Sequence, residues 1–144
     1  MKKTIFLIAS LVGLSWAAQA QELGVRFGDV TGGNVAIDGI FSTSEFSRIH
    51  ADVSFGNNGV GVDALWDFVF RPLGDDGLNW YAGVGPTVFL GDPFVLAGAG
   101  EIGVEYSFED APISLSIDWR PTLVIVEETD MLFDRFGFNI RYRF

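Results

Sequence analysis

Apolar and polar residues alternate with a period of two through most of the chain from Glu22 to its last residue. Successive side chains of a β-strand point to opposite faces, so this period predicts strands with one apolar and one polar face. No stretch of useful length keeps the apolar spacing of a helix. Turn residues such as Gly56-Asn57-Asn58-Gly59 interrupt the pattern about every dozen residues, as between antiparallel strands.

The alternating segments number eight and are joined by short connections. They lie near residues 22–30, 34–42, 48–55, 60–71, 80–90, 94–108, 113–125 and 136–144. A meander of this kind avoids exposed edges by pairing its last strand with its first. The sequence therefore predicts an all-β, eight-stranded antiparallel up-and-down barrel. Pro86 and Pro121 fall inside strands and lack an N–H for the ladder, which predicts bulges there.

The first twenty residues have the layout of a secretory signal peptide. Lys2 and Lys3 precede an apolar run from Ile5, and Ala18-Gln19-Ala20 supplies a small-x-small cleavage pattern. An uncleaved helical anchor is the alternative, but serines interrupt the run and it is shorter than the roughly 20 residues of a membrane span. We expect cleavage after Ala20, with residues 1–20 as signal peptide and 21–144 as the barrel domain. No later segment is long and apolar enough for a membrane helix, so a membrane-embedded form must cross as strands.

The polar face of the predicted strands mixes both charges almost evenly, and every base after Lys3 is arginine. Arginine pairs with carboxylates in a bidentate fork, which suits charges held away from water. Interspersed glycines leave room for long side chains in a narrow lumen. We therefore predict that this face points inward. Its charged members are Arg26, Arg48, Arg71, Arg120, Arg141, Arg143, Asp38, Asp52, Asp63, Asp67, Glu101, Glu105 and Asp118, and all except Arg48, Arg71 and Arg143 form the predicted ion-pair network.

The apolar face has an aliphatic middle and aromatic ends, which is typical of a lipid-facing band with aromatic girdles. The aromatic residues expected at strand ends, on the side that holds both termini, are Trp66, Phe68, Phe70, Trp80, Tyr106, Phe108, Tyr142 and Phe144. This face is predicted to point outward, which makes the barrel a transmembrane one.

The last strand ends in alternating aromatic residues with Tyr142 and the terminal Phe144. This ending resembles the C-terminal insertion signal of bacterial outer-membrane β-barrels, and the whole layout is similar to the small OmpA/OmpX-type barrels. The resemblance implies a Gram-negative outer-membrane location, insertion by the barrel-assembly machinery, contact with outer-membrane lipids and a monomeric state. The chain departs from these barrels in its loops, because all four opposite the termini are short.

Composition excludes several classes of function. Nineteen acids against nine bases give a formal net charge of -10, which is opposite to the basic footprint of a nucleic-acid binder. The chain has no cysteine and so no disulfide or thiolate chemistry. Gly98-Ala99-Gly100-Glu101-Ile102-Gly103 matches a dinucleotide fingerprint, but the sequence continues as a strand where that site needs a helix. We expect no cofactor.

Three functions remain open on the sequence. The leading hypothesis is a non-enzymatic outer-membrane barrel with a plugged lumen and a structural or adhesive role. A soluble lipocalin-like lipid carrier has the same alternation with the apolar face inward. The third is a lipid-modifying enzyme of the outer membrane, with His50 and Asp52 activating Ser54 or Ser114. A hydrogen-bonded histidine inside the lumen is the simpler interpretation.

One acidic cluster is a candidate cation site. Glu127, Glu128 and Asp130, together with Asp92, carry carboxylate oxygens of the type that Ca²⁺ or Mg²⁺ prefers. Their spacing lacks the alternate-position pattern of a calcium loop. A solvated loop is the simpler interpretation, and we predict no bound metal.

Overall fold

The computed structural model describes residues 1, 3–5, 7–8, 11, 21–74, 77–126 and 129–144. Residues 3–5, 7–8 and 11 are helical, and no helix in these ranges is long and apolar enough to cross a membrane. The predicted cleavage after Ala20 and most of the predicted signal peptide lie outside the described residues. The signal peptide therefore stays a prediction.

The described residues between 21 and 144 form ten β-strands, and every pair of neighbours is antiparallel. In chain order they are β1 Glu22–Val30, β2 Gly33–Ser44, β3 Ser47–Gly56, β4 Gly59–Pro72, β5 Leu78–Gly91, β6 Val95–Ser107, β7 Ile113–Trp119, β8 Thr122–Val126, β9 Asp130–Leu132 and β10 Phe136–Arg143. Consecutive strands pair from β1 to β7, β7 pairs with β10, and β10 pairs with β1. The sheet is thus closed.

The ten strands correspond to the eight that the alternation predicts. β7 and β8 are two halves of one wall strand, because both pair with β6, at Ile102 to Ser107 and at Leu96 to Ala99. β9 and β10 likewise form one interrupted wall strand, in which β9 pairs with β8 and β10 pairs with β7. The prediction of a closed, eight-stranded antiparallel barrel is confirmed.

The two prolines behave differently from the predicted bulges. β4 and β5 keep one register from Asp63↔Thr87 to Trp66↔Val84, so the bulge predicted at Pro86 is wrong, and the register shifts between Asp67 and Val69 instead. At Pro121 the disruption is larger than a bulge, since β7 ends at Trp119 and β8 begins at Thr122. The Gly100 N–H still donates to the Pro121 carbonyl across this break, at 2.9 Å.

The polar face of each strand lies inside the barrel and the apolar face lies outside. Alternate residues of β3, from Arg48 through His50 and Asp52, are buried, while Phe55 on the opposite parity is exposed. In β10, Arg141 is buried and its neighbour Tyr142 is exposed. The parity of a residue along its strand therefore decides its environment, except beyond the register shift of β4. There Phe70, predicted on the outer face, pairs with the buried Tyr81 and packs 4.2 Å from the Arg48 guanidinium carbon.

The barrel has two ends, which we name by the chain termini. The termini end holds both ends of the barrel domain and the connections β2–β3, β4–β5 and β6–β7. The far end holds β1–β2, β3–β4, β5–β6 and β8–β9. Exposed aromatic side chains occur toward both, with Tyr106, Phe108, Tyr142 and Phe144 at the termini end and Phe27, Phe55, Phe133 and Phe136 toward the far end. Trp66 does not lie at a strand end as predicted, because β4 extends beyond it to Pro72.

The β1–β2 turn folds into the barrel mouth at the far end. β1 changes register between Phe27 and Val30, with Gly28 at φ 121°, a backbone conformation that glycine adopts without strain. The Ser54 hydroxyl donates to the Thr31 carbonyl, and the Thr31 Oγ1 lies 2.8 Å from Asp63 Oδ1. A side chain at Gly61 would collide with the Thr31 carbonyl oxygen. The turn thus closes over the lumen from the side of β3 and β4.

Candidate functional site

Inward-facing positions of the strands bring together a buried set of charged side chains, which we call the lumen network. It contains four arginines, one histidine and seven carboxyl groups, each at most 4% exposed. Its members are Arg26, Arg48, Arg120, Arg141, His50, Asp38, Asp52, Asp63, Asp67, Glu101, Glu105 and Asp118. Charges withdrawn from water require partners of opposite sign, and the contacts within the network supply them.

Arg120 joins three strands in the half of the lumen toward the far end. Its Nη1 lies 2.6 Å from Asp52 Oδ2 and 3.0 Å from Asp63 Oδ2, and its Nε lies 2.9 Å from Glu101 Oε2. The guanidinium is 1% exposed. The break before Pro121 places Arg120 outside any strand. The backbone N–H of Arg120 donates to the backbone carbonyl of Arg135 at 2.8 Å.

Arg141 and Arg48 share a carboxylate toward the termini end. Arg141 Nη1 lies 2.7 Å from Asp38 Oδ2, and its Nη2 donates to Glu105. Arg48 lies 2.9 Å from Glu105 Oε2 and 2.9 Å from Asp67 Oδ2. Two arginines on one glutamate tie β3, β6 and β10 together across the lumen.

Arg26 is the fourth arginine of the network, and it pairs with Asp118. Its Nη1 lies 2.6 Å from Asp118 Oδ2, which also accepts from the Tyr81 hydroxyl at 3.0 Å and from the Asn139 amide at 2.9 Å. A Cβ at Gly137 would overlap the Arg26 guanidinium. Glycine at this inward position therefore makes the space that the arginine occupies.

His50 lies between two carboxylates at the centre of the network. Its Nδ1 is 2.8 Å from Glu101 Oε1 and its Nε2 is 2.6 Å from Asp38 Oδ1. Carboxylates only accept hydrogen bonds, so both ring nitrogens donate and the ring is an imidazolium. A doubly donating histidine has no lone pair with which to act as a base.

The serines of the catalytic hypothesis have other partners. Ser54 donates to the Thr31 carbonyl, and Ser114 Oγ lies 2.7 Å from Glu22 Oε1. Asp52 pairs with Arg120 and lies 3.9 Å from His50 Nε2. The histidine, the aspartate and a serine hydroxyl thus do not form the relay that nucleophilic catalysis needs.

Two groups in the network have the donor types of a metal site. Ligand atoms of Asp38, His50 and Asp52, and of His50, Glu101 and Asp118, lie within 4.8 Å of one another. Every one of these carboxylates already pairs with an arginine, and both nitrogens of the histidine donate. A cation would have to displace guanidinium groups from these carboxylates.

The structure places all ten residues of the predicted ion-pair network inside the lumen and adds Arg48 and His50 to them. Arg48 lies two residues before His50 on the same face of β3, and this parity could have identified it as a member of the network. Two other arginines predicted on the inward face lie elsewhere. Arg71 is exposed, with its guanidinium 4.4 Å from the Phe46 ring centre. Arg143 donates to the carbonyls of Phe108 and Ala111 at the termini end.

The acidic residues of the candidate cation site are only partly described. Asp92 and Asp130 are exposed, and Asp130 Oδ1 accepts from the Met131 N–H at 2.8 Å. Glu127 and Glu128 lie outside the described residues. The two predicted aromatic residues of the insertion signal, Tyr142 and Phe144, are exposed and form an edge-to-face pair with ring centres 5.3 Å apart.

Comparison of the chain with protein-family models, with curated proteins and with solved structures finds no match.

Proposed function

We propose that this protein is a monomeric integral barrel of the bacterial outer membrane, with a plugged, ion-paired lumen and a structural or adhesive role that involves no catalysis. Its partners are then outer-membrane lipids and the machinery that inserts barrels. The observation that carries the proposal is the outer surface of the wall, where large apolar side chains are exposed on most strands.

Lipid hydrocarbon is the environment that suits this outer surface. The exposed apolar side chains include Val25, Ile37, Trp66, Val84, Ile102, Ile117, Leu123 and Ile140. Soluble monomers rarely expose contiguous apolar patches of more than a few hundred Å². A closed sheet also satisfies its backbone groups within the wall, which a bilayer demands.

The lipocalin-like alternative requires the opposite distribution of side chains. A soluble carrier places its apolar face inward around the ligand and its charged face in water. Here Arg26, Arg120 and Arg141 are at most 1% exposed, while Ile117 is 61% exposed. Exposing this aliphatic wall to water would cost free energy, so this distribution favours the membrane.

Fractionation tests the proposal. When the full chain is expressed with its leader, we expect the mature protein in the outer-membrane fraction, resistant to alkaline extraction and released by detergent. A soluble periplasmic protein processed by the same leader serves as the control. Mature protein that stays in solution without detergent and elutes as a compact monomer would contradict the membrane assignment and favour the carrier.

The filled lumen predicts low conductance in planar bilayers. Tyr81 is fully buried, with its ring 4.7 Å from the Arg48 guanidinium carbon, and a Cβ at Gly103 would overlap its phenol. Side chains can fill an eight-stranded barrel completely, which leaves no continuous water path. We expect current close to background, measured beside a large porin as positive control. Stable single-channel steps well above background would overturn the plugged lumen.

A further inference from the structure

A cavity of about 510 Å³ opens at the far end, between the inward-folded β1–β2 turn and the inner faces of β5, β6, β8 and β9. We call it the far-end pocket. Its volume falls within the roughly 300–1,000 Å³ of small-molecule sites. It lies beyond the lumen network, which ends on this side with Asp63 and its partner Thr87.

The inward positions change character at this level of the barrel. Thr87 and Thr122 are buried polar residues, and the next inward positions along their strands are Phe89 and Val124. Val95 and Ala97 of β6 and Leu132 of β9 complete an apolar wall. An apolar inner surface has no role in contact with membrane lipid, which touches only the outside. It is suited to an apolar ligand inside the mouth.

Arg135 is the cation of this pocket. It is half-buried, and it donates to Thr122 Oγ1 at 3.1 Å and to Thr31 Oγ1 at 3.4 Å. No carboxylate of the described residues lies within 4.0 Å of it, in contrast to the four arginines of the lumen network. A guanidinium has five N–H donors, so donors remain for a ligand.

The electrostatic surroundings leave this cation only partly compensated. Burial lowers the pKa of Arg135 from its ordinary value, although Asp63 and Asp29 raise it and Arg120 and Arg26 lower it further. The group stays charged at any physiological pH. Asp29 and Asp134 also line the pocket but are exposed, so water screens their charges. A carboxylate beside Arg135 would supply the missing partner.

The pocket is entered from the barrel mouth. The β1–β10 ladder ends at Gly28↔Gly137, and within the described ranges β9 pairs with β8 alone. Arg135 crosses the gap that this leaves, because its Nη2 donates to Thr31 Oγ1 of the β1–β2 turn at 3.4 Å. A ligand therefore reaches Arg135 through the far end of the barrel.

We propose that the far-end pocket binds a fatty acid, with its carboxylate on Arg135 and its acyl chain against Val124 and Leu132. The planar carboxylate matches the fork of the guanidinium, and the hydroxyls of Thr31 and Thr122 lie beside it. The site depends on the inward fold of the β1–β2 turn and not on membrane location.

The test is a titration of the mature protein in lipid nanodiscs with dodecanoate, followed through the methyl NMR signals of Val30, Val124 and Leu132. We expect saturable shifts, and binding weaker by about tenfold or more in Arg135→Gln, because a hydrogen-bonded charge pair is lost. Arg143→Gln removes a guanidinium at the opposite end of the barrel and should bind like the native protein. Arg135→Lys should retain part of the affinity.

Ligand analogues test the role of the carboxylate, and a substitution that fills the pocket tests the location of the site. Dodecanol should bind more weakly than dodecanoate, and Ala97→Phe, which fills the pocket, should abolish the shifts while far-UV circular dichroism stays native. Equal binding of dodecanol, tighter binding of dodecyltrimethylammonium, or no effect of Arg135→Gln would each overturn the proposal. If Ala97→Phe does not fold, the pair Arg135→Gln and Arg143→Gln still tests it. Failure of these tests in a protein that fractionates with the membrane would leave the membrane assignment intact.

Discussion

Replacing Arg120 with leucine is expected to lower the free energy of unfolding by about 3–5 kcal/mol. The guanidinium lies within 3.0 Å of carboxylate oxygens of Asp52, Asp63 and Glu101. Leucine would leave Asp63 buried without a paired cation, and Asp52 and Glu101 would share His50. Removing one partner of a buried pair costs more than the pair itself contributes, because the remaining charge stays desolvated. Urea unfolding in lipid vesicles, followed by tryptophan fluorescence, measures the loss.

Two variants control this experiment. Arg71→Leu removes an exposed arginine whose contact is the Phe46 ring, and we expect a loss of about 1 kcal/mol or less. Adding Asp63→Asn to Arg120→Leu should recover part of the stability, since it removes the carboxylate that loses its paired cation. An Arg120→Leu protein as stable as Arg71→Leu would show that the lumen charges are solvated and the network does not stabilise the barrel.

Replacing Val84 with arginine is expected to destabilise the membrane-inserted barrel by about 2–4 kcal/mol. Val84 is 51% exposed on the outer face of β5, near the middle of the strand, and it pairs with Trp66 of β4 and Gly100 of β6. In the proposed outer-membrane location, an arginine there must enter the hydrocarbon centre. Unfolding from vesicles by urea, with the same probe, gives the difference from the native protein.

Leu90→Arg is the matched control for this position. Leu90 lies on the same strand and the same face, is 47% exposed, and is six residues or roughly 20 Å nearer the far end. A charge near the interface costs only about 0–1 kcal/mol. Equal, small effects of the two substitutions would indicate an outer wall in water and would favour the soluble carrier.

Side-chain parity explains why the alternation predicts so much of this molecule. In a closed sheet every inward position meets the lumen, so Asp38, Glu105 and Asp118 enter the same network although they lie on different strands. The same rule places Ile117 and Ile140 outside. The identity of each ion-pair partner was not predictable, because it depends on the stagger between strands, which alternation leaves open.

The wrong predictions concern positions where the alternation along a strand no longer determines whether a side chain is buried. The sequence pattern gives Arg71 the inward parity, but the register shift between Asp67 and Val69 turns it to the outer face, where it pairs with Trp80. The break at Pro121 and the inward fold of the β1–β2 turn depend on contacts with Arg135, Ser54 and Gly61, which are distant in sequence. The far-end pocket depends on both and could not be predicted from local pattern.

The ion pairs of the lumen network join residues that are far apart in the chain. Arg26 and Asp118 are separated by 92 positions, and Arg141 and Asp38 by 103. The entropy of closing such long loops must be overcome before these charges can meet. β10 carries Arg141 and also forms the seam with β1. Before β10 joins the sheet, Asp38 and Glu105 therefore lack Arg141, so the step that closes the ring also completes these two ion pairs.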